Sequence, residues 1–275
     1  MMRAALAVLL PSLLLLQAPP EPVDPTTGKK AGPRARGPLE LDLGPATAID
    51  VSKETPGQEP RAFLPIVGDW SVVEDGGQRV VRVDGRKWKR GQPSNGLVEK
   101  ARTLYGKDEQ RFLDNVKAFA YFPYALAQGV EDFHEGELRV RFQVGGGDLD
   151  QCAGLVFNVK PNGDYLAWRF NGKEDNAVLW TFFEGQRHFV ARGTTDKAIP
   201  LGEWHELLVK VKGNRLEGWL DDTLQLQYSL PFTISGKVGL WSKTDSVASF
   251  DAFTVRPLKP APPSPAPGDA PKTRP

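Results

Sequence analysis

Five stretches alternate apolar with polar residues: ELRVRFQV (137–144), LVFNV (155–159), YLAWRFN (165–171), HELLVKV (205–211) and LQLQYS (224–229). A period of two sends successive side chains to opposite faces of a sheet. Turn residues separate the runs. Asn162-Gly163 closes a hairpin between the second and third, Lys212-Gly213-Asn214 turns the fourth into residues 215–220, and Asp221-Asp222 turns that strand into the fifth. Residues 237–241 and 249–255 read as two more strands. Strand after strand, with no helical pattern between residues 137 and 255, indicates an all-β sandwich or barrel. Upstream, residues 63–73 and 79–83 form a hairpin about Glu74-Asp75-Gly76-Gly77. Phe112, Leu113 and Val116 stand at helical spacing, which predicts one short helix within residues 101–116. Residues 119–124 read as a strand or a loop.

The chain has 275 residues, room for one large all-β domain or two small ones. Residues 1–18 have the layout of a secretory leader, with Arg3 ahead of an apolar run too short to span a bilayer and broken by Pro11. Residues 19–37 read as a Pro-rich linker, 38–256 as the ordered domain, and 257–275 as a Pro-rich disordered tail. The expected location is therefore secreted or periplasmic, with no membrane insertion once the leader is removed. Net charge is +1, which draws no polyanion by bulk field. The tract RKWKR (86–90) is too short for a nucleic-acid surface, so no nucleic acid is expected as a partner. Cys152 is the one cysteine, so no internal disulfide forms; it reads as a small buried hydrophobe. The chain is expected to be a monomer.

Residues 165–171 carry the clearest functional signal. Alternation places Leu166, Trp168 and Phe170 on one face, which makes that face the core. Tyr165, Arg169 and Asn171 fall on the other face, read as solvated, with Glu174, Asp175 and Asn176 following at its rim. Planar donors and acceptors suit vicinal hydroxyls, and an aromatic ring suits the apolar face of a pyranose. The ligand-binding candidates are thus Tyr165, Arg169, Asn171, Glu174 and Asn176. The alternative reading is an ordinary polar sheet face. Trp204 and Trp241 read as core or inter-sheet anchors rather than sugar platforms, and Trp180 and Trp219 as more open.

The pieces DQCAGLVFNVKPNGDYLAWRFN from Asp150, EDNAVLW from Glu174, LGEWHELLVKVKGNRLEGWLDD from Leu201 and GKVGLWSKTDSVASFDAFTV from Gly236 resemble the concanavalin A-like lectin/glucanase superfamily. More narrowly they resemble the secreted 3-keto-disaccharide hydrolase family, as does GDWSVVEDGGQRVVRVDG from Gly68. The resemblance covers most of residues 60–256. It implies a jelly-roll of two antiparallel sheets with a ligand on the concave one, and it matches Arg169, Asn171, Glu174 and Asn176 to a recurrent R-x-N-x-x-E-x-N pattern. The laminarinase motif E-x-D-x-x-E is absent from the chain. Glycosidase chemistry needs two carboxyl groups about 5–5.5 Å apart for retention or about 6.5–9.5 Å for inversion. Such a pair would have to come from separate strands, with Glu174 and Asp150 as the catalytic candidates. No cofactor is expected; a structural Ca²⁺ would draw on Asp251 with Asp148 and Asp150. Three readings stand: a carbohydrate-recognition domain, a glycoside hydrolase acting on a keto-disaccharide, and a structural jelly-roll that holds a protein partner.

Overall fold

The computed structural model describes residues 37–87, 92–118, 120–195 and 198–260. The expected leader, nearly all of the linker, most of the tail and residues 88–90 of the basic tract lie outside them. The strands are β1 (Thr47–Ala48), β2 (Phe63–Val67), β3 (Trp70–Asp75), β4 (Gln78–Asp84), β5 (Tyr124–Ala127), β6 (Gly136–Gly146), β7 (Cys152–Val159), β8 (Tyr165–Asn171), β9 (Asn176–Phe183), β10 (Gln186–Arg192), β11 (Trp204–Lys212), β12 (Arg215–Leu220), β13 (Thr223–Ser229), β14 (Lys237–Trp241) and β15 (Val247–Pro257). Helices α1 (Leu97–Tyr105) and α2 (Glu109–Ala118), joined by a single 3₁₀ turn, lie between β4 and β5.

Two antiparallel sheets result. One runs β13-β12-β11-β6-β15-β4-β3, with β1 added to β15; the other runs β10-β9-β8-β7-β14-β5-β2. The all-β, two-sheet class expected from the alternation is the one observed. The tight turns follow from their residues. Gly76 and Gly77 both take positive φ, 57° and 82°, as a two-residue hairpin between β3 and β4 requires. Gly163 does the same between β7 and β8 at φ 84°.

The interior between the sheets is filled by the predicted apolar faces. Leu138, Val140, Phe142 and Val144 of β6 meet Leu155 and Phe157 of β7 and Leu166, Trp168 and Phe170 of β8. Trp168 lies on Gly218 of β12, where a Cβ would stand 2.6 Å from the indole. Burying a large apolar side chain contributes about 1.5–3 kcal/mol each.

A second apolar cluster lies on the opposite face of the β8 sheet, beneath the helices. Leu97 and Ala101 of α1 and Phe112, Leu113 and Val116 of α2 pack on Tyr124, Cys152, Val156, Tyr165, Ala167, Phe182 and Trp241. This corrects two expectations. The helical region holds two helices rather than one, because α1 has only two buried residues and so gives a weak periodic signal. The face opposite Trp168 is not solvated as expected: all seven residues of β8 are buried, Tyr165 and Ala167 beneath the helices and Arg169 and Asn171 beyond them.

Candidate functional site

Along β8, Tyr165 and Ala167 lie under the helices while Arg169 and Asn171 extend past them. All four share the outer face. Gly154 of β7 pairs with Arg169, and a Cβ at Gly154 would stand 2.9 Å from the Arg169 Cβ and 3.2 Å from the Trp241 ring. The missing side chain lets the arginine lie flat between β7 and its own turn.

Arg169 is only 2% exposed. Its Nη1 donates to the carbonyl of Asn176 at 3.2 Å and to the Asn176 side-chain oxygen, and its Nη2 donates to Glu174 Oε2 at 2.8 Å. Asn176 Nδ2 also donates to Glu174, at 3.3 Å. Arg169 Nε is buried with no hydrogen-bond partner among the described residues. Glu174 is exposed at the β8–β9 turn. Burial pushes its carboxyl up, but the charge and hydrogen bond of Arg169 and the amide of Asn176 outweigh that and hold it below the usual glutamate range.

A second network adjoins the first. Asn171, fully buried, donates to Asp150 Oδ1 at 3.1 Å and accepts from the Lys173 amide at 3.0 Å. Asp150 also accepts from Lys243 Nζ at 2.7 Å and from the Thr244 hydroxyl. Asp245 accepts the amides of Asp148, Leu149 and Asp150 at 2.7, 2.9 and 3.0 Å, which fixes the β6–β7 loop onto the β14–β15 loop. Burial raises the Asp245 carboxyl, and these three amides bring it below its ordinary value. Arg187 of β10 lies beside these networks, its guanidinium 4.3 Å from the Trp180 ring and 5.3 Å from Phe122.

The structure therefore brings Arg169, Asn171, Glu174, Asn176 and Asp150 to one end of the sheet. Tyr165 is set apart. The expected solvated face is corrected for all three of its residues: Tyr165 is buried and stacks on Phe182 at 4.2 Å beneath the helix pair, while Arg169 and Asn171 are buried because Glu174, Asn176 and Asp150 pair with them internally. Asp175 is the left-handed turn residue, φ 47°. Lys243, Thr244, Asp245, Arg187 and Gly154 did not emerge as site residues from the sequence. The run Ser242–Asp245 was legible only as the sequel to Trp241, since nothing local ties it to a strand ninety residues earlier.

The other expectations divide. Cys152 is buried, and burial pushes its thiol up to about 12, so it is inert. Trp241 is buried as expected, but in the cluster under the helices. Trp204 is half-buried on the outside of the other sheet, 5.1 Å beneath Arg141, not in the core. Its register opposite Gln143 puts it on the Arg139–Arg141 face. The proposed Ca²⁺ ligands are not brought together. Asp251 lies on β15 opposite Arg141 and accepts from it at 3.3 Å, while Asp150 is occupied by Lys243 and Thr244. No group of three His, Cys, Asp or Glu side chains able to hold a metal converges among the described residues.

No family model matches the chain, and no curated protein matches it. Solved structures with similar architecture include the carbohydrate-binding module CBM66 of Bacillus subtilis, at 15% identity and TM-score 0.49 over 70% of this chain and 93% of that one. A Bacillus subtilis protein of unknown function with a galectin-like fold aligns at 12% identity and TM-score 0.39, over 50% and 79%. A GH43 protein of Bacillus licheniformis aligns at 11% identity and TM-score 0.42, over 70% and 37%. The fold and the site rest on the chain's own geometry and not on these likenesses.

Proposed function

We propose that this chain is a saccharide-recognition domain whose ligand meets the Arg169–Glu174 end of the β8 sheet. One observation carries the reading: two adjoining networks of buried charge stand at the unroofed end of a face that is otherwise apolar and covered. Taking charges out of water costs several kcal/mol per ion, and partners repay it only with good geometry. A structural role would be met more cheaply by apolar side chains, as the neighbouring helix-covered end demonstrates. Densely bonded ionic groups gathered in one place, with the Glu174 and Asp245 carboxyls held below their ordinary range, are a recognised mark of a functional site. Glu174 offers an exposed acceptor, Lys243 and Arg187 offer donors, and Trp180 and Phe122 supply ring faces beside Arg187. The resemblance of these motifs to the 3-keto-disaccharide hydrolase family points to the same ligand class.

Binding is favoured over hydrolysis. A glycosidase acid must hold its proton near neutral pH, with a raised pKa. Glu174 is displaced in the opposite direction, and Asp150 already carries Lys243, Thr244 and Asn171 on its two oxygens. The test is a titration of the protein with sucrose, trehalose, cellobiose and their 3-keto forms, run alongside an assay for released monosaccharide. Binding without turnover is expected, with Glu174→Gln weakening it about 10–100-fold, the loss of one charged hydrogen bond. Turnover abolished by Glu174→Gln would instead establish the hydrolase, and no binding to any sugar would sink the saccharide reading.

A further inference from the structure

We infer that the aromatic surface beneath α1 and α2 is the inner part of the same saccharide site, reached when the helix pair lifts. The inference rests on the saccharide reading above. Tyr124, Tyr165 and Phe182 form a continuous ring surface, with centroids 5.2 Å apart for the first pair and 4.2 Å for the second. Phe122 extends it, 4.8 Å from Phe182 and stacked 5.7 Å from Trp241. The surface runs into the polar cluster without a break, because Trp241 pairs with Gly154 and Gly154 with Arg169 in one row across β14, β7 and β8. Flat rings that carry polar tips beside charged hydrogen-bonding groups match the two sides of a pyranose.

The roof over this surface leaves polar atoms unserved. The hydroxyl of Tyr124, on the fully buried floor, and that of Tyr105, on α1, are sealed from solvent with no hydrogen-bond partner among the described residues. Burial pushes both phenols up. A buried hydroxyl without a partner opposes closure, and ligand hydroxyls admitted beneath the roof would supply partners.

The roof is also lightly held. Five buried apolar residues, Leu97, Ala101, Phe112, Leu113 and Val116, fix it from above. Leu104 and Tyr105 of α1, partly buried, pack at its edge, and its polar ties include Lys100 to the Pro65 carbonyl at 3.0 Å and to Glu59 at 2.7 Å, and Asn115 to the Asn162 carbonyl and to Asp164 Oδ1 at 3.5 Å. The helices have nine and ten residues, lengths that do not persist alone in water. α1 starts on Gly96 at φ 68° with no side-chain cap. Such elements open locally at less cost than the strands beneath them.

Two measurements on the full chain test this. In hydrogen exchange of the wild type, amides of α1 and α2 should exchange at least about 100-fold faster than those of β7 and β8, and the best-binding disaccharide of the panel should slow them. Equal protection of helices and strands overturns the inference. The second measurement pins the roof. A Cβ at Gly185 would lie 3.3 Å from the Ala118 Cβ, just under the disulfide range of about 3.5–4.5 Å, so Ala118→Cys with Gly185→Cys joins the end of α2 to the β9–β10 turn. Gly185 stands at φ 74°, so the reduced double variant is compared with the wild type by urea unfolding before it is oxidised. The oxidised protein should bind the disaccharide at least tenfold more weakly than the same protein reduced. Equal affinity in the two redox states overturns the inference while leaving the saccharide reading intact. Absence of binding in wild type and in both redox states overturns the saccharide reading, and the inference with it.

Discussion

Arg169 owes its position to a residue that has no side chain. Gly154 pairs with it across the β7–β8 ladder and leaves the space in which the guanidinium stem lies. Gly154→Ala puts a methyl group against the Arg169 Cβ, the Trp168 carbonyl and the Trp241 ring at once. The expected cost is about 1–3 kcal/mol of stability, by overpacking, with saccharide affinity reduced by at least as large a factor as in Glu174→Gln. Chemical denaturation and sugar titration read the two effects separately. The carboxylates set an acid limit. Glu174 and Asp245 both have folded-state values below the ordinary range, so the unfolded chain takes up their protons first as pH falls. Their contribution is complete above about pH 4, the ordinary carboxylate value, and is lost as pH drops through the lower folded values. Both are partly exposed, so solvent screening keeps the effect modest. The urea midpoint should decline below about pH 4, and the decline should be shallower in Asp245→Asn.

At the scale of elements, strand packing and loop clamping do different work. The β8 strand meets the opposite sheet through Trp168, whose ring lies on Gly218 and whose Nε1 donates to the Trp219 carbonyl at 3.2 Å. Gly218→Ala should lose about 1–3 kcal/mol and Trp168→Ala about 3–5 kcal/mol. Because both remove one contact, the double variant should cost less than the sum, which a double-mutant cycle in urea measures. The β6–β7 loop has no such packing; Leu149 at its tip is exposed. Three amides on Asp245 hold it instead. Asp245→Asn keeps one carbonyl oxygen and loses the charge. About 1–2 kcal/mol of stability should go with it, together with saccharide affinity, since the loop carries Asp150.

Across the whole molecule, one sheet serves two cores. Its inner face closes the sandwich and its outer face supports the helix pair. That arrangement explains which expectations held. Alternation is a local property, so the sidedness of Trp168 against Arg169 and strand bounds such as 165–171, 215–220 and 237–241 were legible in the sequence, whereas β9 and β10 were not read and the run 63–73 is two strands, β2 and β3. What covers a face is not local. Tyr165 and Arg169 stand on the same face by period, and only the docking of residues 97–118 makes one of them core and the other the hub of a charged site. The amino-acid order determined the all-β class, the turns and the dry side of β8, because backbone geometry and apolar periodicity act over a few residues. Tertiary structure decided that Arg169 is paired rather than free, that Asp150, Lys243 and Thr244 share its end of the sheet, and that an aromatic floor is roofed, because those outcomes depend on which distant elements pay the desolvation of each face together.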